Sequence, residues 1–201
     1  MNYLTLKHES INEITINRSR FIGAACPVYC EEYALDFINK YRKKYPDATH
    51  HVYAYRLKDN TQRFSDAGEP SGTAGKPVLD VVLKNNITDC VIVVTRYYGG
   101  VQLGAGGLVR AYSKSAAAAV EQSGIKQMYL CNIAVIGYSY NIHDSVVLTV
   151  NSLGNVIGTE FTDNVNLEFS VEKEKFNELS NALMKLSNGR IIPKIIGEKY
   201  I

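Results

Sequence analysis

Eight of the fifteen glycines in this chain fall between positions 68 and 107, in two runs. The first is Ser65-Asp66-Ala67-Gly68-Glu69-Pro70-Ser71-Gly72-Thr73-Ala74-Gly75-Lys76. The second is Arg96-Tyr97-Tyr98-Gly99-Gly100-Val101-Gln102-Leu103-Gly104-Ala105-Gly106-Gly107. Each run stands before a segment of helical pattern, 77–84 and about 107–122. A helix N-terminus offers unpaired N–H groups and a partial positive charge. Glycines let the backbone come close to a ligand and aim successive N–H groups at it. Arg96 and Arg110 add cations on either side of the second run, so the two loops read as a cradle for phosphate or another anion. The plainer reading is tight turns and close packing of the following helix, whose residues 116–119 are all alanine. Both readings remain open on the sequence.

The named nucleotide motifs are not met. Gly99 and Gly104 have P-loop spacing, but Ala105 and Gly106 stand where Lys and Ser or Thr are required. Gly104-Ala105-Gly106 lacks the third glycine of a dinucleotide fingerprint and the acidic residue about 20 positions on. A hydrolytic site could be drawn from His50 or His51 with Asp66 or Glu69. Neighbouring histidines on a strand face opposite ways, however, so only one of them reaches a common site and the two chelate poorly. There is no G-x-S-x-G elbow and no H-E-x-x-H. The cysteines Cys26, Cys30, Cys90 and Cys131 form no C-x-x-C pair, and they read as reduced thiols rather than zinc ligands. No catalytic residue, metal or cofactor is expected. Tyr97 and Tyr98 beside Arg96 have the composition that base stacking plus phosphate contact requires.

The remaining pattern divides the chain. Residues 3–21 alternate as edge or hairpin strands, 31–44 are helical, 50–57 and 90–95 are strands, and 60–76 is a long loop. Lys40, Arg42, Lys43 and Lys44 close the first helix, where cations suit the macrodipole. Residues 124–129 read as a junction. Beyond it come strand 131–139, helix 144–153, strands 156–161 and 165–171, helix 173–186 and strand 190–196, the ferredoxin-like order. Residues 1–130 carry 16 Lys and Arg against 12 Asp and Glu, whereas 131–201 carry 6 against 8, so an anionic partner should prefer the first part. No window reaches the roughly 18 uninterrupted apolar residues of a membrane span. Residues 1–10 lack the apolar core of a signal peptide, and a cytoplasmic protein is expected.

Taken together, the second glycine run with its apolar lead Val91–Val94, the first run from Ser65 to Gly75, and Ser19-Arg20-Phe21-Ile22 resemble the three motifs of the IMPACT family in its bacterial YigZ form. The likeness covers nearly the whole chain. It implies an α+β fold of two domains. Residues 1–128 would form an N-terminal mixed domain of the ribosomal-protein and elongation-factor type. Residues 129–201 would form a ferredoxin-like domain similar to the last domain of elongation factor G. Eukaryotic members regulate translation, and a general link to translation and nucleic acid is what the resemblance implies here.

The expected function is therefore a non-enzymatic, translation-associated protein that binds RNA or a ribosomal partner. Its site would comprise Arg96, Tyr97, Tyr98, Gly99, Gly100, Gly104, Gly106, Gly107 and Arg110 of the second loop, Ser71, Gly72, Thr73 and Lys76 of the first, and His50. The acidic second domain would be a module for a protein partner. Arg96 is expected to project from its strand end, by analogy with ligand sites at the strand C-termini of open α/β sheets. The alternative is a small-molecule enzyme or phosphate-ligand binder in the same cleft.

Overall fold

The computed structural model describes residues 2–201. The chain divides into two compact units, Tyr3–Gln127 and Met128–Ile201, apart from the extreme N-terminus. In the first unit β1 (Tyr3–Leu6), β2 (Ser10–Ile16) and β3 (Ser19–Pro27) lead into α1 (Glu31–Lys44). Then follow β4 (His50–Arg56), β5 (Gln62–Ser65), α2 (Gly75–Lys84), β6 (Cys90–Tyr97), α3 (Gly104–Ser123) and β7 (Ile125–Met128). The main sheet has the order β2-β3-β6-β4-β5, and each adjacent pair is antiparallel. The sheet is thus not the open parallel type from which the strand-end analogy for Arg96 was drawn.

Period-two alternation sorts β6 between two layers. Cys90, Ile92 and Val94 join Phe21, Val52, Ala54 and residues of α2 and α3 in one core. Val91 and Val93 join Ala34, Phe37, Ile38 and Tyr41 of α1 in the other. Helix α1 forms where expected, with Glu31 and Glu32 in its first turn and Arg42, Lys43 and Lys44 in its last. Three features differ from expectation. Strand β5 lies inside the long loop, a short polar edge strand paired to β4 from Gln62 to Ser65. Helix α3 begins at Gly104, through glycines of poor helix propensity. The expected junction contains β7, which pairs with β1.

The second unit runs β8 (Leu130–Tyr138), α4 (His143–Leu153), β9 (Gly154–Phe161), β10 (Val165–Glu172), α5 (Phe176–Leu186) and β11 (Lys194–Tyr200). Its sheet order, β11-β8-β10-β9, is antiparallel throughout, as the ferredoxin-like order requires. Ile136, Leu167 and Phe169 of the sheet pack on Val146, Val150, Leu179 and Leu183 of the helices. Strand β11 starts four residues later than its apolar pattern suggests. Asn188 and Gly189 take positive φ after α5, the Ser187 hydroxyl accepts from the Ile191 N–H at 2.8 Å, and Pro193 has no N–H to give a ladder.

Candidate functional site

Arg96, the penultimate residue of β6, lies on the face that carries α2 and α3, opposite Phe21 of β3 and His50 of β4. It is only 4% exposed. Its Nη1 donates to Glu69 Oε1 at 2.6 Å and its Nη2 to Ser19 Oγ at 3.2 Å. The guanidinium also lies 5.4 Å from the ring centres of Phe21 and Tyr98. The same Glu69 oxygen accepts from the Tyr112 hydroxyl of α3 at 2.6 Å. Burial, then this carboxylate, pushes the Tyr112 phenol well above its ordinary value. His50 Nδ1 donates to the Ala67 carbonyl at 2.9 Å, and its Nε2 lies 3.7 Å from Glu69 Oε1. Arg96 is therefore the inner half of a buried ion pair, not a strand-end cation open to an anion. Truncating one partner of such a pair strands the other, at a cost of roughly 3–5 kcal/mol.

The first glycine loop is already occupied by the chain itself. The Asp66 carboxylate accepts the N–H groups of Gly72, Ala74 and Gly75 at 2.9, 3.1 and 2.8 Å. Burial disfavours its charge, but these three donors outweigh that and hold the carboxyl below the ordinary aspartate value. Thr73 is buried, with its hydroxyl donating to the Pro70 carbonyl at 2.7 Å. Lys76 pairs with Asp80 one turn on. Ser71 and Gly72 are exposed. The loop has the geometry of an anion cradle, and its anion is Asp66.

The second loop is different. Helix α3 starts at Gly104 without a side-chain cap and without an acid in its first turn. Gly100 and Gly104 have φ of +78° and +69°, and nothing stands within 4 Å of where their Cβ atoms would be. Gly106 is exposed and Gly107 half-buried. The Arg110 guanidinium lies over this helix start, 3.6 Å from the Cβ position of Gly106. Tyr98 is 48% exposed, while Tyr97 faces the other side of the sheet under Arg20, 5.2 Å from its ring centre. Gly99 is glycine for contact: a Cβ there would come within 2.1 Å of the Arg18 carbonyl carbon. That contact seats the two-residue β2–β3 turn, Asn17 and Arg18 at φ +45° and +66°, beside the loop. Among the described residues, neither Arg18 nor Arg110 has a carboxylate partner.

The structure thus joins His50 and Arg96 through Glu69, with the Tyr98 ring beside the Arg96 guanidinium, and leaves Gly100, Gly104, Gly106 and Arg110 as an open loop and helix start. His51 faces the α1 side, with Nδ1 and Thr95 Oγ1 3.2 Å apart, so of the paired histidines only His50 meets a loop carboxylate. Sequence reasoning passed over Arg18 and Tyr112, and marked Ser19 only as part of a family motif. The two-residue gap between alternating runs was the available signal for Arg18. Nothing local marks Tyr112, which is 43 residues from Glu69. Among the described residues no group of three or more His, Cys, Asp or Glu side chains is placed to hold a metal, and no helix is long and apolar enough to cross a membrane.

Comparison with known proteins bears on both units. The family model described as the Impact N-terminal domain matches residues 17–120, and that of a domain of unknown function, DUF1949, matches 145–190. The IMPACT family member YvyE of Bacillus subtilis is 36% identical over 192 residues, 94% of this chain and 88% of the relative. The IMPACT family member YigZ of Escherichia coli is 32% identical over 181 residues, 88% of this chain and 89% of its own. A crystal structure described only as that of a hypothetical protein aligns over 98% of both chains, with 29% identity and a TM-score of 0.64.

Proposed function

Because the chain belongs to the IMPACT family, we propose that it is a non-enzymatic, translation-associated protein whose first unit binds RNA through the second glycine loop. One observation carries this reading. Of two loops built alike in front of helices, the first is filled by Asp66, whereas the second is open, with the Arg110 guanidinium over its helix start, Tyr98 half-exposed within it, and the backbone of exposed Arg18 packed against Gly99. An unpaired guanidinium over a helix N-terminus, with a second exposed arginine on the turn packed against the loop, suits a phosphate backbone. An exposed tyrosine beside them suits a stacked base. The second unit acts as an interaction module, with residues 1–128 and 129–201 as separate domains.

The test is titration of the full chain with a single-stranded RNA at two salt concentrations. Arg18→Ala and Arg110→Ala should each weaken binding severalfold and lower the salt slope by about one contact. Lys40→Ala should change little, because Lys40 Nζ already donates to both oxygens of Glu9, at 2.7 and 2.8 Å. RNA binding that is indifferent to both arginines but lost with Lys40 would move the contact surface to the end of α1. For the domain assignment, residues 1–128 and 129–201 produced as separate chains should each unfold cooperatively, and a first piece that does not fold without the second would count against it.

A further inference from the structure

We propose that the corner of the second unit formed by Tyr140, His143 and Phe161 is a docking platform for an arginine-rich segment of a partner protein. This deepens the reading of the second unit as an interaction module and does not depend on RNA binding by the first. Tyr140 and Phe161 are 51% and 58% exposed. Their rings stack with centres 6.0 Å apart and planes 22° apart, and His143 meets Phe161 edge-on at 5.4 Å. The platform is fixed in place: the Tyr140 hydroxyl donates to the Thr162 carbonyl, and His143 Nδ1 and the Tyr138 hydroxyl are hydrogen-bonded at 3.0 Å. The core beneath is complete without these faces, since Val146, Val150 and Val165 are wholly buried. Pre-ordered, half-exposed aromatic faces of this kind are characteristic of binding surfaces.

Charge selects the occupant. From residue 127 to residue 172 the chain carries no Lys or Arg. Asp144 adjoins His143, and Asp163 lies in the β9–β10 turn two residues past Phe161, whereas Glu160, next to Phe161 on β9, faces the other side of the sheet. Asp144 and Asp163 are exposed, and neither has an ion-pair partner among the described residues. The cations of the second unit all lie at or beyond Lys173. A ring face attracts a cation placed over it. A guanidinium is planar and weakly hydrated, so it stacks better than an ammonium. Carboxylates at the rim draw a basic segment in and repel phosphate. The corner therefore favours a basic peptide over a nucleic acid.

The test is an NMR titration of the full chain with a capped nine-residue arginine peptide. The expected result is saturable shifts of the Tyr140, His143 and Phe161 ring signals, with weaker shifts from a nine-residue lysine peptide. Phe161→Leu keeps the apolar bulk and removes the ring face. It should weaken the arginine peptide by about three- to fivefold, and thermal melts should show that the variant is folded. The pair Asp144→Asn with Asp163→Asn should lower both affinity and salt dependence. Unmoved ring signals, or equal binding by folded Phe161→Leu, would overturn the proposal. A nine-residue glutamate peptide that shifts the same rings would overturn the charge assignment while leaving an interaction module of different chemistry.

Discussion

The two glycine loops begin alike and end differently. Both leave a strand of the main sheet, both lead into a helix start, and both use glycine where the backbone must be open. At α2 the N–H groups meet the Asp66 carboxylate eight and nine residues before them, at Ala74 and Gly75. At α3 there is no side-chain cap, and the nearby charges are positive. A glycine-rich helix start is therefore not in itself a ligand site. The residue that decides is a carboxylate within reach, and its presence turns the same geometry into an internal cap.

The largest effect on stability is expected where the two loops meet. Glu69→Ala leaves the Arg96 guanidinium buried without its counter-charge. Denaturant unfolding should show a loss of about 3–5 kcal/mol, and Arg96→Ala should be comparable. Asp66→Ala removes the first loop's own anion and should cost about 1–2 kcal/mol, as for a lost cap. This variant also sharpens the comparison. With Asp66 gone, added sulfate should raise its melting temperature more than that of the wild type, because the emptied N–H groups are then available. An equal response would mean that Asp66 is not what closes the first loop.

The acid limb of stability offers a smaller signal with a definite sign. The Asp66 carboxyl titrates lower in the folded chain than the ordinary aspartate value. Its contribution is fully present above the unfolded value of about 4 and is lost as pH falls through the lower folded value. Asp66→Asn should flatten that part of a melting-temperature profile and leave the neutral region sloped as before. The smallest effect is expected at the second loop. Arg18→Ala and Arg110→Ala should stay within about 0.5 kcal/mol of wild type, since each removes an exposed group without an ion-pair partner. A larger loss at either would mean that the open loop has a structural partner after all.

Long periodic elements and the antiparallel order of the second unit were legible because alternation and helical spacing record burial directly. Helix α1 has the bounds its pattern gives, and β6 is buried on both faces as its apolar run requires. Strand β5 was not legible: it is four residues long, polar, and defined by what it pairs with. The position of Arg96 was readable but its state was not. Strand parity places the guanidinium toward α2 and α3, whereas its neutralisation depends on Glu69, 27 residues away with helix α2 between them. Asp66 stood in the sequence only as a carboxylate of the first run and a conceivable partner for His50 or His51, whereas in the structure it fills the first cradle by accepting from Gly72, Ala74 and Gly75.

Glu69 also constrains how such a chain can change over time. One carboxylate oxygen serves Arg96 at the end of β6 and Tyr112 in α3, with His50 just beyond hydrogen-bonding distance. Loss of Glu69 alone strands a cation, and loss of Arg96 alone strands an anion, so neither single step is a neutral path through sequence space. The exit is a concerted exchange in which both positions become apolar, with Tyr112 giving up its hydroxyl. A descendant of this chain with an apolar residue at position 96 is therefore expected to have one at position 69, although one lies in a strand and the other in a loop and nothing in their local sequence ties them together.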